Sequence, residues 1–177
     1  MNWEAFHHRG DVLHAVITEV DNRRDGILPM DLPGVDETFR DELDLLSALA
    51  LRWHTRLAGR FERELFLEPM ELEDAVIATW RGTVEELPGI RAVLDHYKAN
   101  PVDDAMATAL EKASAKERQL LAVWAGRVSA MEVDEYGGRI GAEIEAKARD
   151  GFSVPGPRTA EPANSSFLDR VKAALVA

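Results

Sequence analysis

The sequence predicts an all-α protein, and three observations support this fold class. Apolar residues recur at spacings of three and four along most of the chain, which is the period of one helix face. No segment sustains the period-two alternation of a strand, so we expect no significant sheet. Proline, glycine and asparagine separate the periodic segments. We therefore expect a bundle of four main antiparallel helices, a shorter fifth helix and a tethered C-terminal helix.

The first two helices are expected at residues 2–22 and 36–67. A loop over residues 25–34 separates them, because this stretch holds two glycines and two prolines. Asp36 is the predicted N-cap of the second helix, and acidic residues follow it in the first turn. Apolar residues then recur at helical spacing as far as Phe61, which predicts one continuous long helix.

Three further helices complete the predicted bundle domain, which spans residues 1–150. Pro69 suits the first turn of the third helix, and Pro88-Gly89 interrupts that helix before a short continuation. Asn100-Pro101 is the predicted cap and first turn of the fourth helix. A fifth helix, poorer in large apolar residues, is expected at residues 134–149.

The last part of the chain differs in composition from the bundle. Residues 151–165 are rich in proline and in small and polar residues, and we interpret them as a flexible linker. Residues 166–177 form a predicted short amphipathic helix. It could dock on its own bundle, on a neighbouring subunit or in the groove of a partner. The residues on its apolar side are Phe167, Leu168, Val171 and Leu175.

Composition excludes several classes of function. The chain of 177 residues has no cysteine, which rules out disulfides, thiol catalysis and thiolate metal sites. Its net charge of −11 argues against general binding to a nucleic-acid backbone. We find neither the pattern of a signal peptide nor an apolar run long enough to span a membrane. The sequence therefore predicts a soluble, cytoplasmic protein.

Four arginines of the second helix form the most unusual charge pattern in the sequence. On an ideal helix they fall within an arc of about 80°, and we call them the arginine face. Two of them, Arg52 and Arg56, have no acidic residue three or four positions away. Acidic groups of another helix or subunit, a protein partner, or an anionic ligand could balance these charges. The arginine face consists of Arg52, Arg56, Arg60 and Arg63.

The first helix carries a candidate metal site. Imidazole and carboxylate groups at spacings of three and four project from one side and could bind zinc, iron or manganese. The alternative is that the histidines flank the apolar seam while the acidic residues are solvated. The four candidate ligands are Glu4, His7, Asp11 and His14.

Known catalytic signatures are absent from the sequence. His54 has no serine or cysteine nucleophile nearby, so we interpret it as a partly buried histidine with satisfied hydrogen bonds. The leading hypothesis is a non-enzymatic homodimer without a cofactor, which acts by protein–protein interaction through the arginine face and the terminal helix. The alternatives are a metal-binding bundle with a transition metal ion as its cofactor, and a sensor that binds a small anion at the arginine face.

Overall fold

The computed structural model describes residues 3–154 and 156, and its side chains are described from His8 onward. Over these residues the chain is all-helical and contains no strand, which confirms the predicted class. A π-helical turn at Val133–Gly137 leads directly into the last of the α-helices. The helices are α1 Trp3–Arg23, α2 Val35–Thr38, α3 Glu42–Leu65, α4 Leu72–Glu86, α5 Pro88–Ala99, α6 Asp104–Trp124 and α7 Gly138–Arg149.

The predicted second helix is divided in two, so the expectation of one helix over residues 36–67 is wrong. Phe39 is extended, with φ −114° and ψ 132°, and its side chain is buried. Asp41 caps α3 by accepting a hydrogen bond from the backbone N–H of Asp44 at 2.7 Å. Arg9 of α1 donates to the carbonyl of Thr38 at 2.9 Å. The break is stable because polar groups at both new helix ends have partners.

Two other helix starts also differ from the prediction. Glu68 has a positive φ of 49°, and α4 begins three residues beyond Pro69, at Leu72. The N-cap of α6 is Asp103, which accepts from the backbone N–H of Met106 at 2.7 Å. In both cases the proline lies in the connection before the helix. The prolines therefore predicted the positions of the connections correctly, but they did not predict the first residue of either helix.

One apolar core joins the helices, and two glycines allow helices to approach closely within it. The helix α3 packs along α4, α1 along α5, and α6 along α7. A Cβ atom on Gly89 of α5 would lie 2.2 Å from the carbonyl of Val20 in α1. A Cβ atom on Gly141 of α7 would lie 1.8 Å from the carbonyl oxygen of Arg118 in α6. These two crossings require glycine.

The chain after α7 turns back onto the helices. Phe152 meets Trp80 edge to face, with ring centroids 6.4 Å apart, and Val154 also packs against the core. Arg24, the residue directly after α1, donates to the carbonyl of Gly156 at 3.1 Å. The predicted linker therefore begins with residues that contact the domain. Its remainder and the predicted terminal helix over 166–177 lie outside the described residues.

No helix within residues 3–154 combines the length and the apolar character that a membrane span requires.

Candidate functional site

A buried carboxylate on α6 lies where α3, α4 and α5 meet. Glu117 is 8% exposed. Its Oε2 atom accepts from the indole Nε1 of Trp53 at 3.0 Å and lies 3.1 Å from His54 Nε2. Its Oε1 atom accepts from the indole of Trp80 at 3.1 Å and lies 3.7 Å from a guanidinium nitrogen of Arg91. Four groups from three other helices therefore converge on one side chain.

The carboxylate of Glu117 is ionised despite its burial. Burial alone raises the pKa, but the hydrogen bond from His54, the charge of Arg91 and the hydrogen bond from Trp80 outweigh it and lower the pKa to about 2. An ionised carboxylate only accepts hydrogen bonds, so the Nε2 atom of His54 must carry the proton that it shares with Glu117. The carboxylate thus fixes the orientation of the imidazole ring.

The charge of Glu117 belongs to a longer ionic network. Arg91 also donates a hydrogen bond to Asp95 at 2.8 Å. Asp95 accepts two further hydrogen bonds, at 2.9 and 3.0 Å, from the two terminal nitrogens of Arg149. Arg149 donates to Glu145 at 3.0 Å, and Arg118 donates to the same carboxylate at 2.9 Å. Three carboxylates alternate with three guanidinium groups, so the network is electrically balanced and connects α5, α6 and α7.

Burial and neighbouring arginines shift the pKa values of the other two carboxylates, Asp95 and Glu145, in opposite directions. For Asp95, burial raises the pKa. The charge of Arg91 and the hydrogen bond from Arg149 lower the pKa by more than burial raises it, so the net shift is downward. Glu145 follows the same pattern, with Arg118 as the main hydrogen-bond donor. All three carboxylates of the network are therefore held in their charged form.

The network also surrounds the two largest buried side chains. The Trp53 and Trp80 rings meet edge to face, with their centroids 6.0 Å apart. The guanidinium carbon of Arg91 lies 4.9 Å from the ring centre of Trp53, and that of Arg149 lies 4.9 Å from the ring centre of Trp80. Each indole therefore has a cation over its face and a carboxylate at its N–H group, which fixes both rings.

A surface cavity of about 420 Å³ opens beside this cluster, between α3 and α6. His54, whose side chain is partly exposed, forms one wall, and Glu117 beside it also lines the cavity. We call it the α3–α6 cavity. Its other lining residues are Ala109, Lys112, Ala113, Lys116 and Leu120.

The cluster does not have the arrangement of a hydrolytic site. The two oxygens of Glu117 already interact with four donors, which leaves the carboxylate no free capacity as a proton acceptor. Ser114 lies near His54 in an adjoining small cavity, but no hydrogen bond joins the two within the described part of the chain. The geometry therefore supports a structural role for Glu117.

The structure divides the arginine face into two pairs. Arg56 and Arg60 both bind Glu86 of α4, at 2.5 and 3.1 Å. The guanidinium of Arg60 occupies the space over Gly82, where a Cβ atom would lie 2.3 Å from its Nη2 atom. Balance by an acidic group of another helix, one of the three alternatives open from the sequence, is thus observed for this pair. Arg52 and Arg63 are exposed, and no ion pair of either occurs among the described residues.

Substitution of Glu86 tests this division. We expect Glu86→Gln to lower the free energy of unfolding by about 1 kcal/mol, because two arginines four residues apart lose their shared counter-charge. The two hydrogen bonds with these arginines oppose the upward effect of burial on the Glu86 pKa, and the net shift is downward. Urea unfolding measures the change. The neighbouring exposed Glu85 supplies the control, and Glu85→Gln should change stability by less than about 0.5 kcal/mol. Equal losses in both variants would contradict the assignment.

The candidate metal ligands of α1 are only partly described. Asp11 and His14 are both exposed on α1. The side chains of Glu4 and His7 lie outside the described residues. Among the side chains from residue 8 to residue 154, no group of three or more histidine or acidic residues is arranged to hold a metal ion. The structure therefore leaves the proposed set of four ligands untested.

An exposed apolar segment lies at the turn between α3 and α4. Phe66 is 87% exposed, Leu67 74% and Met70 95%. Backbone hydrogen bonds from Leu67 to Glu64 at 3.0 Å and from Glu68 to Leu65 at 3.1 Å hold the turn. Leu65 and Leu72 at its two ends are also exposed, and we call residues 65–72 the apolar turn.

Sequence reasoning missed both the Glu117 cluster and the apolar turn. One signal for the cluster was present, because buried tryptophans need an acceptor for their indole N–H groups. Trp53 and Trp80 both lie in the core, and Glu117 is the acceptor for both. The apolar turn was interpreted as part of two helices, and that interpretation concealed the exposure of its side chains.

No family model matches the chain, and comparisons with curated proteins and with solved structures likewise found no similar protein.

Proposed function

We propose that this protein is a non-enzymatic interaction module that forms a homodimer through the apolar turn. The observation that carries the proposal is the exposure of Phe66, Leu67 and Met70, three large apolar side chains that lie within five residues of one another in a single turn. Such surfaces on folded domains are typical of protein contacts, because covering them removes apolar area from water.

The charges around the apolar turn favour a second copy of the chain as the partner. Arg63 has no ion pair within the described residues, and exposed glutamates lie on both sides of it. In a contact with twofold symmetry, Arg63 of each protomer can meet Glu68 or Glu71 of the other. A surface that carries both signs of charge can therefore be complementary to itself.

Two features that the sequence hypothesis assigned to the interaction, the arginine face and the terminal helix, belong to the same proposal. Arg52 is available for a contact, whereas Arg56 and Arg60 are engaged by Glu86. The apolar turn joins the C-terminal end of α3 to the N-terminal end of α4. The terminal helix predicted from the sequence, with Phe167 and Leu168 on its expected apolar side, would add a second contact.

Sedimentation of the full chain tests the proposed dimer. We expect a dimer across a concentration series up to about 100 μM, which detects association of micromolar strength. The double variant Phe66→Ser/Met70→Ser should sediment as a monomer with unchanged circular dichroism. Both side chains are almost fully exposed, so their loss should leave the fold intact.

A second double variant controls for a general loss of surface apolarity. Leu51 and Val102 are 68% and 58% exposed and lie outside the apolar turn. Leu51→Ser/Val102→Ser should therefore leave the dimer intact. A monomeric wild-type protein over the whole series would refute self-association, and a dimer that persists in Phe66→Ser/Met70→Ser would refute its location.

A further inference from the structure

We infer that the α3–α6 cavity binds a small organic carboxylate with an apolar tail. The volume of about 420 Å³ lies within the range of small-molecule sites. The cavity is separate from the apolar turn, so this inference does not depend on the proposed dimer. Three features of the cavity favour such a ligand: an apolar floor, two cations without ion pairs and a rigid wall.

The floor of the cavity suits an apolar group. Ala109 and Ala113 lie four residues apart on α6, so they share one face of that helix, and their short side chains leave room between the helices. Leu120 is 42% exposed and completes the apolar surface. A short aliphatic or aromatic tail that covers this surface would remove it from water.

Two lysines on the rim favour a negative charge at the other end of the ligand. Lys112 and Lys116 also lie four residues apart on α6, and neither has an ion pair among the described residues. Two adjacent cations without counter-charges repel each other, and a bound carboxylate relieves this repulsion. In a chain of net charge −11, this local excess of positive charge is a specific feature of the cavity.

The wall of the cavity is rigid before any ligand arrives. The hydrogen bond between His54 and Glu117 fixes the imidazole, and the contacts with Trp53, Trp80 and Arg91 fix Glu117. A site whose polar group is already oriented loses little conformational entropy on binding. Neutralisation of Glu117 by its neighbours also reduces its repulsion of an anion.

Titration calorimetry of the full chain with hexanoate, octanoate and benzoate tests this inference. We expect saturable binding of at least one of them, and no binding of octanol or of inorganic phosphate, because the site requires both the tail and the charge. Lys112→Gln/Lys116→Gln should weaken the binding by about tenfold or more. Arg40→Gln/Arg139→Gln removes two exposed cations outside the cavity and should leave the affinity unchanged.

Each other outcome would overturn the inference. Absence of binding by all three carboxylates up to about 10 mM would exclude a site of useful affinity. Equal binding of octanol would show that the lysines do not select an anion. Equal weakening by Arg40→Gln/Arg139→Gln would show that net charge, and not the cavity, determines the binding. Dimerisation is measured independently, so failure here leaves the proposed function standing.

Discussion

Glu117→Gln is expected to lower the free energy of unfolding by about 3–5 kcal/mol, the cost of breaking a buried charge pair. Glutamine has nearly the same shape but only one acceptor oxygen. Its amide NH₂ group would face donors from Trp53, Trp80 or His54, and the buried Arg91 would keep only Asp95 as a counter-charge. Urea unfolding monitored by circular dichroism measures the loss. Glu111→Gln, at an exposed position of the same helix, should change stability by less than about 0.5 kcal/mol.

The difference between wild type and Glu117→Gln should also depend on pH. The pKa of Glu117 is about 2 in the folded protein, against a usual value of 4.5. A lowered pKa stabilises the folded state fully above the usual value, and this stabilisation is lost as the pH falls toward the folded value. The stability gap should therefore be constant above pH 4.5 and should narrow between 4.5 and 2. A gap that stays constant through this range would contradict an ionised Glu117.

Gly141→Ala is expected to be the second most damaging substitution, with a loss of about 1–3 kcal/mol or more. The new Cβ atom would lie 1.8 Å from the carbonyl oxygen of Arg118, which belongs to the backbone of α6 and cannot rotate away. The two helices would have to separate, and the nearby pairing of Arg118 with Glu145 would be disturbed. Thermal unfolding measures the loss.

Gly59→Ala is a matched control, because it also places alanine within a helix. No atom lies within 4 Å of the Cβ position at Gly59. Alanine there should stabilise α3 by about 0.5–1 kcal/mol, since glycine loses more conformational freedom on folding. If both substitutions changed stability in the same direction, the close crossing of α6 and α7 would not be the cause.

The sequence predicted the helices better than it predicted their ends. Apolar residues at helical spacing identify a buried face whether or not the backbone is continuous, so Phe39 fitted the seam of one long helix although it is extended. Two interactions determine the break. One is the local cap that Asp41 supplies, and the other is a hydrogen bond from the distant Arg9 to the carbonyl of Thr38. The distant bond joins residues 29 positions apart, and helical periodicity does not reveal contacts of that kind.

The candidate site was less predictable, because its residues come from five helices. Glu117 lies in a charged stretch of α6 that is typical of a solvated helix face, and only the packing of α3, α4 and α5 shows that it is buried. The arginine face was easier to predict, since its residues lie on one helix and the lack of acidic partners near Arg52 and Arg56 was visible in the sequence. The identity of the partner, Glu86, depends on how α4 lies against α3.

The shared acceptor imposes an order on folding during synthesis. The indole of Trp53 and the carboxylate of Glu117 are 64 positions apart in the chain, and the indole of Trp80 is 37 positions from the same carboxylate. While a ribosome synthesises the chain, α3, α4 and α5 emerge with their donors before α6 supplies the acceptor. The earlier helices therefore cannot complete their polar interactions until α6 has been synthesised.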